Sequence, residues 1–387
     1  PSASGKKSKF FPASRRKALF ILLLSLVLVL GAALLLRLLG DRAKKEPAPE
    51  KTPHISSRTA TIAAVGDIRI DDLLLESAQL ADGSYDFSPY FLNVAAAVSD
   101  ADLTLGNLEL TFSGAPYGTA SDSAPQSLAG ALKNLGFDIL QTANSKSLAN
   151  GMTGLEATYQ TLTDAGISPL GTYPSQDARD ASGGVLLREV NGIRIAFFAY
   201  TKGFDGMAIP EGNDYCADVL YKDYATTYSQ IDEAAILQTV EQAKTLEPDI
   251  IIAMLHWGSE DTCTVSSSQK ELAALLQRSG VDVILGSHSH LIGAMDYDPQ
   301  NPDTFTAYSL GDFLFSGSEK SANQTLVLQL TLSKDDASGQ TIVSEVNYVP
   351  VYLYDKGEGA QSRLQLLDVQ RAIELYHTDY IDKVDSD

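Results

Sequence analysis

The sequence is poor both in the residues that staple small secreted folds and in those that grip nucleic acid. Two cysteines in 387 residues, Cys216 and Cys263, rule out a disulfide-dense scaffold. With no CxxC or Cys/His spacing they also rule out a cysteine-based zinc site. They leave open either one disulfide or two free thiols. Histidine is scarce too, at five residues, yet His256, His288 and His290 fall in two short motifs. Basic residues are sparse beyond the N-terminal region. Residues 1–51 hold 11 of the 29 Lys and Arg and 3 of the 49 Asp and Glu, which leaves the remainder at a formal −28. Such a surface repels polyanions and excludes a nucleic-acid groove. No internal repeat of fixed period is visible.

Long apolar runs are absent with one exception. Residues 18–36, ALFILLLSLVLVLGAALLL, carry no charge. As a helix they would cross about 30 Å of hydrocarbon. The run is longer than the apolar core of a secretory signal and ends at Arg37 without a small-residue cleavage site, so it reads as an uncleaved anchor. Six basic residues precede it, and four follow it diluted by Asp41 and Glu46. This bias places the N-terminus in the cytoplasm and the main domain outside. The expected organisation is a basic N-terminus (1–17), a transmembrane anchor (18–39), a charged, Pro-containing linker (40–57), a main domain (58–354) and a helical tail (355–387).

The main domain alternates short apolar runs with helix-length amphipathic segments, which predicts an α/β fold with a mixed sheet. TATIAAVGD, DLTLGNLEL, FDILQTAN, DIIIAMLH and DVILGSHSH read as strands. VLLREVNGIRIAFFAYT reads as a hairpin turning at Asn191-Gly192. SPYFLNVAAAVSDA, TTYSQIDEAAILQTVEQAKTL and LQLLDVQRAIELYHTDYIDKV each read as one helix.

Each polar group of interest falls where an apolar strand gives way to a loop: Asp67, then Asn107 and Glu109, Asn144, His256, and His288 with His290. In layered α/β folds these strand ends converge on one edge, where ligands bind. Carboxylates, amides and imidazoles gathered there suit a divalent ion such as manganese, iron or zinc. Singly the motifs are weak, since Gly-Asp is commonly a turn and a lone strand-end histidine is commonly structural. Their order along the chain is what carries information.

That order resembles the CapA family of poly-gamma-glutamate capsule proteins. AVGDI, DLTLGNLE, LKNLGFDIL, IRIAFFAYT, MLHWGSE, VDVILGSHSH and YSLGDFLFS follow one another as in that family, from about Thr59 to Phe315. The resemblance implies a four-layer α-β-β-α sandwich of the metallophosphoesterase type. It implies Asp67, Glu109, His256, His288 and His290 as metal ligands, with Gly286 and Ser287 in the Gly-Ser-His loop and Trp257 and Glu260 after the first histidine. It further implies an acidic polymer such as poly-gamma-glutamate and membrane synthase subunits as partners. Tyr308, Gly311 and Asp312 match a Tyr-Ser-Leu-Gly-Asn-Phe pattern, with Asp312 in place of its Asn.

One stretch departs from the family. Where the pattern is Ala-Asn-Asn-His-x-x-Asp-x-Gly, this chain has Ala143-Asn144-Ser145-Lys146-Ser147-Leu148-Ala149-Asn150-Gly151. Ser145 replaces an amide that the phosphoesterase analogy makes a metal ligand, Lys146 replaces the proton-donating histidine, and Ala149 replaces the Asp. The expected catalytic positions are therefore Asn144, Lys146 and His256, in a site weakened by these changes. A lysine with a pKa of about 10.4 is a poor proton donor near neutrality. Three readings stay open: a metal-dependent phosphoesterase-type hydrolase, a non-catalytic polymer- or partner-binding component with a vestigial metal site, or an anchored α/β domain whose site is merely vestigial. On the first, Lys146 is expected beside the ligands, repelling a bound cation.

Overall fold

The computed structural model describes residues 57–300, 302–317, 323–357 and 363–375. The expected anchor at 18–39, the basic N-terminus, the linker up to residue 56 and the end of the tail lie outside these residues. Among the described residues no helix is long and apolar enough to cross a membrane.

In chain order the elements are β1 (Ser57–Ile68), α1 (Asp72–Ala78), α2 (Ser88–Phe91), α3 (Ala95–Ser99), β2 (Leu103–Leu108), α4 (Ser127–Leu135), β3 (Ile139–Gln141), α5 (Gly151–Asp164), β4 (Ser168–Leu170), α6 (Gln176–Ser182), β5 (Leu186–Val190), β6 (Ile193–Thr201) and α7 (Glu233–Thr245). There follow β7 (Ile250–His256), α8 (Ser267–Arg278), β8 (Val283–Ser287), β9 (Met295–Tyr297), β10 (Phe305–Ala307), β11 (Asp312–Leu314), β12 (Gln324–Asp335), β13 (Thr341–Asp355) and β14 (Leu364–Asp368).

The strands form two sheets. One runs β14-β13-β12-β1-β2-β3-β4, with β11 pairing in parallel to the end of β1; the other runs β5-β6-β7-β8-β10-β9. Strands β1 to β4 are mutually parallel, with β4 at the edge, as are β6, β7, β8 and β10. Inner strands of this kind are covered on both faces, and β7 is buried at every residue. Ile62, Leu105 and Ile139 of the first sheet meet Ile195, Phe197, Ile252 and Leu285 of the second in a core between them. Outside the first sheet, Leu128 and Leu132 of α4 pack with Phe137 and Phe313. Outside the second, Ile236 and Val240 of α7 and Leu272 and Leu276 of α8 pack on Phe198, Leu255 and Ile284. The layers are therefore helix, sheet, sheet, helix.

Local chemistry explains several boundaries. In α8 Ser266 caps the helix, accepting from Gln269 N while the Gln269 side chain reaches back, a reciprocal box worth about 1 kcal/mol. The β5–β6 turn places Asn191 and Gly192 at φ 51° and 77°, the double left-handed geometry of a two-residue hairpin.

Three expectations are corrected. SPYFLNVAAAVSDA divides into α2 and α3 rather than forming one helix. The segment ending in α7 becomes helical only at Glu233. Before it, the Asp223 carboxylate accepts the backbone N–H groups of Ser229 and Gln230 at 2.9 Å each, which holds 223–230 in a loop. The tail begins with a strand: β14 pairs with β13 and buries Leu364 and Leu366, and helix starts only at residue 369. The first sheet thus extends beyond residue 354. Cys216 is buried, Cys263 is exposed, and both are free thiols.

Candidate metal centre

The ends of β1, β2, β7 and β8 deliver the polar residues to one edge. Asp67 of β1 is level with Asn107 of β2 on one side and with Asp312 of β11 on the other. Close backbone approach makes this possible: a Cβ on Gly66 would lie 1.8 Å from Gly311 O, and one on Gly286 2.1 Å from Tyr308 O, so both positions require glycine. Glu109 follows β2 directly, its N–H bonded to Ile68 O at 2.9 Å. His256 ends β7 opposite Ser287 of β8. His288 and His290 hold φ values of 94° and 61°, a conformation uncommon for side-chain-bearing residues and concentrated at functional sites.

The side chains converge. Asp67 Oδ1 accepts from Asn107 Nδ2 at 2.7 Å, and its Oδ2 accepts from His288 N at 3.2 Å. His290 Nδ1 lies 3.0 Å from Asp312 Oδ1, 3.2 Å from Asp67 Oδ2 and 4.0 Å from Glu109 Oε2. His256 turns Nε2 toward Ser145 Oγ at 3.0 Å and Glu109 Oε1 at 3.6 Å, while Nδ1 faces Ser287 Oγ at 3.0 Å, which fixes the ring. The His256 and His288 rings are 4.5 Å apart. Asp67, Glu109, His256, His288 and His290 are all less than a tenth exposed.

The electrostatics describe a pocket short of positive charge. Burial, and then Asp67, push the Glu109 carboxyl well above the usual range. Burial, and then the neighbouring His288, hold His256 well below an ordinary imidazole, and burial brings His288 to about 3. His290 goes the other way: burial opposes its charge, but the bonds to Asp312 and Asp67 lift it to about 11. Burial would raise Asp67, but the His290 bond and charge and the Asn107 bond hold it low. The His290 imidazolium and the Arg69 guanidinium thus face three carboxyl groups, and Glu109, pushed upward by burial and by Asp67, is the one left without a cation of its own, a role a divalent ion would fill.

The donor set fits such an ion. Glu109 Oε2 and His288 Nδ1 are buried with no hydrogen-bond partner, a costly arrangement that calls for a missing ligand. Asp67, Glu109 and His290 present ligand atoms within 4.8 Å of one another, and so do Glu109, His256 and His288. Glu109 belongs to both groups, so one carboxylate faces two adjacent positions. Glu260 forms a third group with His288 and His290, from an exposed place.

The departing loop looks different. Asn144 donates to Asn107 Oδ1 at 3.1 Å and Leu108 O at 2.7 Å, and accepts from Lys146 N at 3.1 Å. All its polar capacity goes into bracing the loop against β2. Lys146, expected beside the ligands, pairs its Nζ with Asp205 at 3.0 Å and Asp122 at 3.5 Å, so most of its charge is met by two carboxylates outside the proposed ligand set, with a weaker pull from Glu109. Burial would lower its pKa, but the Asp205 bond and charge raise it. Trp257 is structural, stacking on Tyr308 and donating to its carbonyl at 3.0 Å.

Two site residues escaped the sequence reading. Arg69 lies over the Phe315 ring at 3.9 Å and bonds Asp312 Oδ2 at 3.4 Å. Standing two residues beyond Asp67, it falls on the same side of an extended chain, and the period of two could have found it. Lys202 follows β6 directly, with its N–H on His256 O at 2.8 Å, so the strand-end rule applied to IRIAFFAYT could have found it too.

Fold and site together define a layered α/β protein with a buried carboxylate–imidazole centre at its strand ends. By sequence, the chain belongs to the bacterial capsule synthesis protein PGA_cap family, whose model matches residues 61–317. It is 28% identical over 306 residues to "Capsule biosynthesis protein CapA" of Bacillus anthracis, spanning 75% of this chain and 68% of that one. It is 26% identical over 206 residues to "PGA biosynthesis protein CapA" of Bacillus subtilis strain 168, spanning 53% of this chain and about half (49%) of that one. Among solved structures it is similar to a phosphatase from Mycoplasma pneumoniae (12% identity, TM-score 0.44, 77% of this chain and 95% of that one). It is also similar to the calcineurin-like phosphoesterase YfkN from Bacillus subtilis (14% identity, TM-score 0.41, 76% and 91%).

Proposed function

We propose that this chain is a membrane-anchored, extracytoplasmic component of capsule-polymer synthesis or export, with a divalent-metal centre of the metallophosphoesterase type and weakened proton transfer. The observation that carries this reading is the pair of buried, unpartnered donors, Glu109 Oε2 and His288 Nδ1, in a pocket whose carboxylates outnumber its cations. Asp67 and Glu109 would supply oxygen and His256, His288 and His290 nitrogen, a mixture suited to manganese, iron or zinc. When bound, such an ion supplies polarisation of a phosphoryl oxygen and a water acidic enough to attack near neutrality.

The chain's own residues set the limits. Asn144 and Asn107 hold the strand ends in register, and Ser287 orients His256. At the family's proton-donor position Lys146 is committed to two aspartates. General acid help is typically worth about 10²–10⁴-fold, and turnover without it falls by that order. The test is to measure manganese and zinc content of the purified full chain together with hydrolysis of an aryl phosphodiester. A chain that takes up neither metal sinks the reading.

A second reading, a non-catalytic polymer- or partner-binding component, is favoured by the same loop. Ser145 is engaged with His256 and Lys146 with Asp205, so no group there is free to protonate a leaving oxygen. It predicts metal uptake with no turnover.

Anchoring rests on the apolar run at 18–36 and its basic flank. Protease added to intact cells then digests the chain beyond residue 57; full protection reverses the orientation. The poly-gamma-glutamate and synthase partnership rests on family membership. A domain of formal charge −28 would meet an acidic polymer through bridging cations.

A further inference from the structure

The proposed centre opens into a cavity of about 240 Å³ lined by Ser145, Lys202, Gly203, Asp205, Tyr228, Ser259, Glu260 and His288. Four cations stand around the site, and three are spent: His290 on Asp312 and Asp67, Arg69 on Asp312, Lys146 on Asp205 and Asp122. Lys202 differs. Its Nζ donates to Gly258 O at 2.8 Å and lies 4.7 Å from the centroid of the Tyr228 ring. Among the described residues no carboxylate lies within 4.0 Å of it. An ammonium has three donors, so the remaining ones face a cavity whose wall includes the unpartnered His288 imidazole. Backbone pairing fixes the arrangement: Thr201 is level with His256, and Lys202 N bonds His256 O, so the ammonium and the ligand edge move together.

We infer that Lys202 is the anion anchor of this cleft, holding a non-bridging oxygen of a phosphate group while that group faces Asp67, Glu109 and the three histidines. A cleft bordered by Asp205 and Glu260 repels anions unless a fixed cation is presented at the reacting edge, and Lys202 is the lysine left over for that purpose. The ring of Tyr228 beneath the ammonium holds the charge in place without neutralising it. The inference rests on the metal-centre reading for the orientation of the phosphate, but not for its capture by the ammonium.

The probe is inorganic phosphate, titrated into the purified full chain by calorimetry with and without saturating manganese, in the parent, Lys202→Gln and Lys202→Arg. Glutamine keeps a donor for Gly258 O and drops the charge; arginine keeps both. The expected result is a loss of about ten- to a hundredfold in phosphate affinity for Lys202→Gln, with Lys202→Arg retaining most of it. Manganese content does not fall and melting temperature stays at the parental value, because no hydrogen bond or ion pair joins the ammonium to a ligand, and its charge, which acts on His256 and His288 only through space, opposes a bound cation. Phosphate affinity unchanged in Lys202→Gln overturns the anchor and leaves the metal reading standing. Metal content and melting temperature falling together in Lys202→Gln also overturn it, making Lys202 a strap for the His256–Glu260 loop. If the parent binds phosphate without taking up metal and Lys202→Gln abolishes that binding, the anchor stands and the metal reading falls. A parent that binds no phosphate under either condition overturns the anchor.

Discussion

Two loops only a few ångströms apart meet opposite fates. The Gly286–His290 loop leaves His288 Nδ1 buried and unpartnered and holds both histidines in left-handed backbone. In the Asn144–Lys146 loop each polar side chain has partners: Asn144 makes three bonds, Ser145 meets His256, and Lys146 meets two aspartates. A fold tolerates unsatisfied buried donors and backbone strain where something else repays the cost. It has no such need where each group already has a partner. The first loop is organised for a ligand and the second for itself.

The largest expected effect breaks the first side of this contrast. Asp67→Asn removes a carboxylate and one of the two partners of the His290 imidazolium, and should lower manganese or zinc affinity by more than about 100-fold, measured as metal content after dialysis. An Asp67→Asn chain that retains parental metal would separate the unsatisfied atoms from any ligand.

Next comes the metal-free protein itself. His288, at about 3 when folded, stays neutral while the unfolded chain takes up protons below about 6.5, so stability falls as pH drops from there. His290, at about 11 when folded, keeps its proton while the unfolded chain loses it, so stability also falls as pH rises from about 6.5 toward 11. These two groups place a stability maximum near pH 6.5 in the chelated protein, and the raised carboxyls of Glu109, Asp312 and Asp282, which hold protons better when folded, move it to lower pH. Adding metal at 100 times its dissociation constant should contribute about 2.7 kcal/mol beyond that. Melting curves across pH 4–10, chelated and loaded, measure both; a flat chelated profile would contradict the charge arrangement.

A smaller effect tests the second loop. Ser145→Asn returns an amide opposite His256 and should raise metal affinity roughly tenfold. Combined with Lys146→His, it should also raise phosphodiesterase turnover, since an imidazole with a pKa near 6.5 transfers protons where an ammonium does not. No gain in either quantity would mean the loop was not damaged but specialised.

Smallest of all is Lys146→Met. Because the charge is spent on partly exposed Asp205 and Asp122, metal affinity should shift by less than about threefold. A large gain would place the ammonium back among the ligands.

Much of this was readable from the chain, and the limits have physical causes. Asp67, Glu109, His256, His288 and His290 were legible because each closes an apolar run, and parallel strands carry such positions to one edge. The direction of Lys146 was not, since it depends on Asp205, 59 residues away, and on Asp122. The period of two puts Arg69 on the side of Asp67, but its partner Asp312 comes from β11, which pairs beside β1 only in the fold. LQLLD is too short to separate a period of two from 3.6, and the β13 partner decided it. The late start of α7 was hidden in one side chain, Asp223, competing for backbone donors.

The contact of Gly66 with Gly311 has a consequence for ion selectivity. Asp67 is carried by two backbones pressed together without side chains between them, its N–H bonded to Gly311 O at 2.8 Å. A base built from main chain cannot swell to suit a larger guest as a side-chain wall can. Calcium needs about 2.3–2.6 Å to each of six to eight oxygens, whereas zinc accepts nitrogen and oxygen near 2.0–2.2 Å. On the metal-centre reading proposed above, Asp67 would be the ligand least able to move outward, and a preference for small ions over calcium would trace to how closely two strands are able to lie at Gly66 and Gly311.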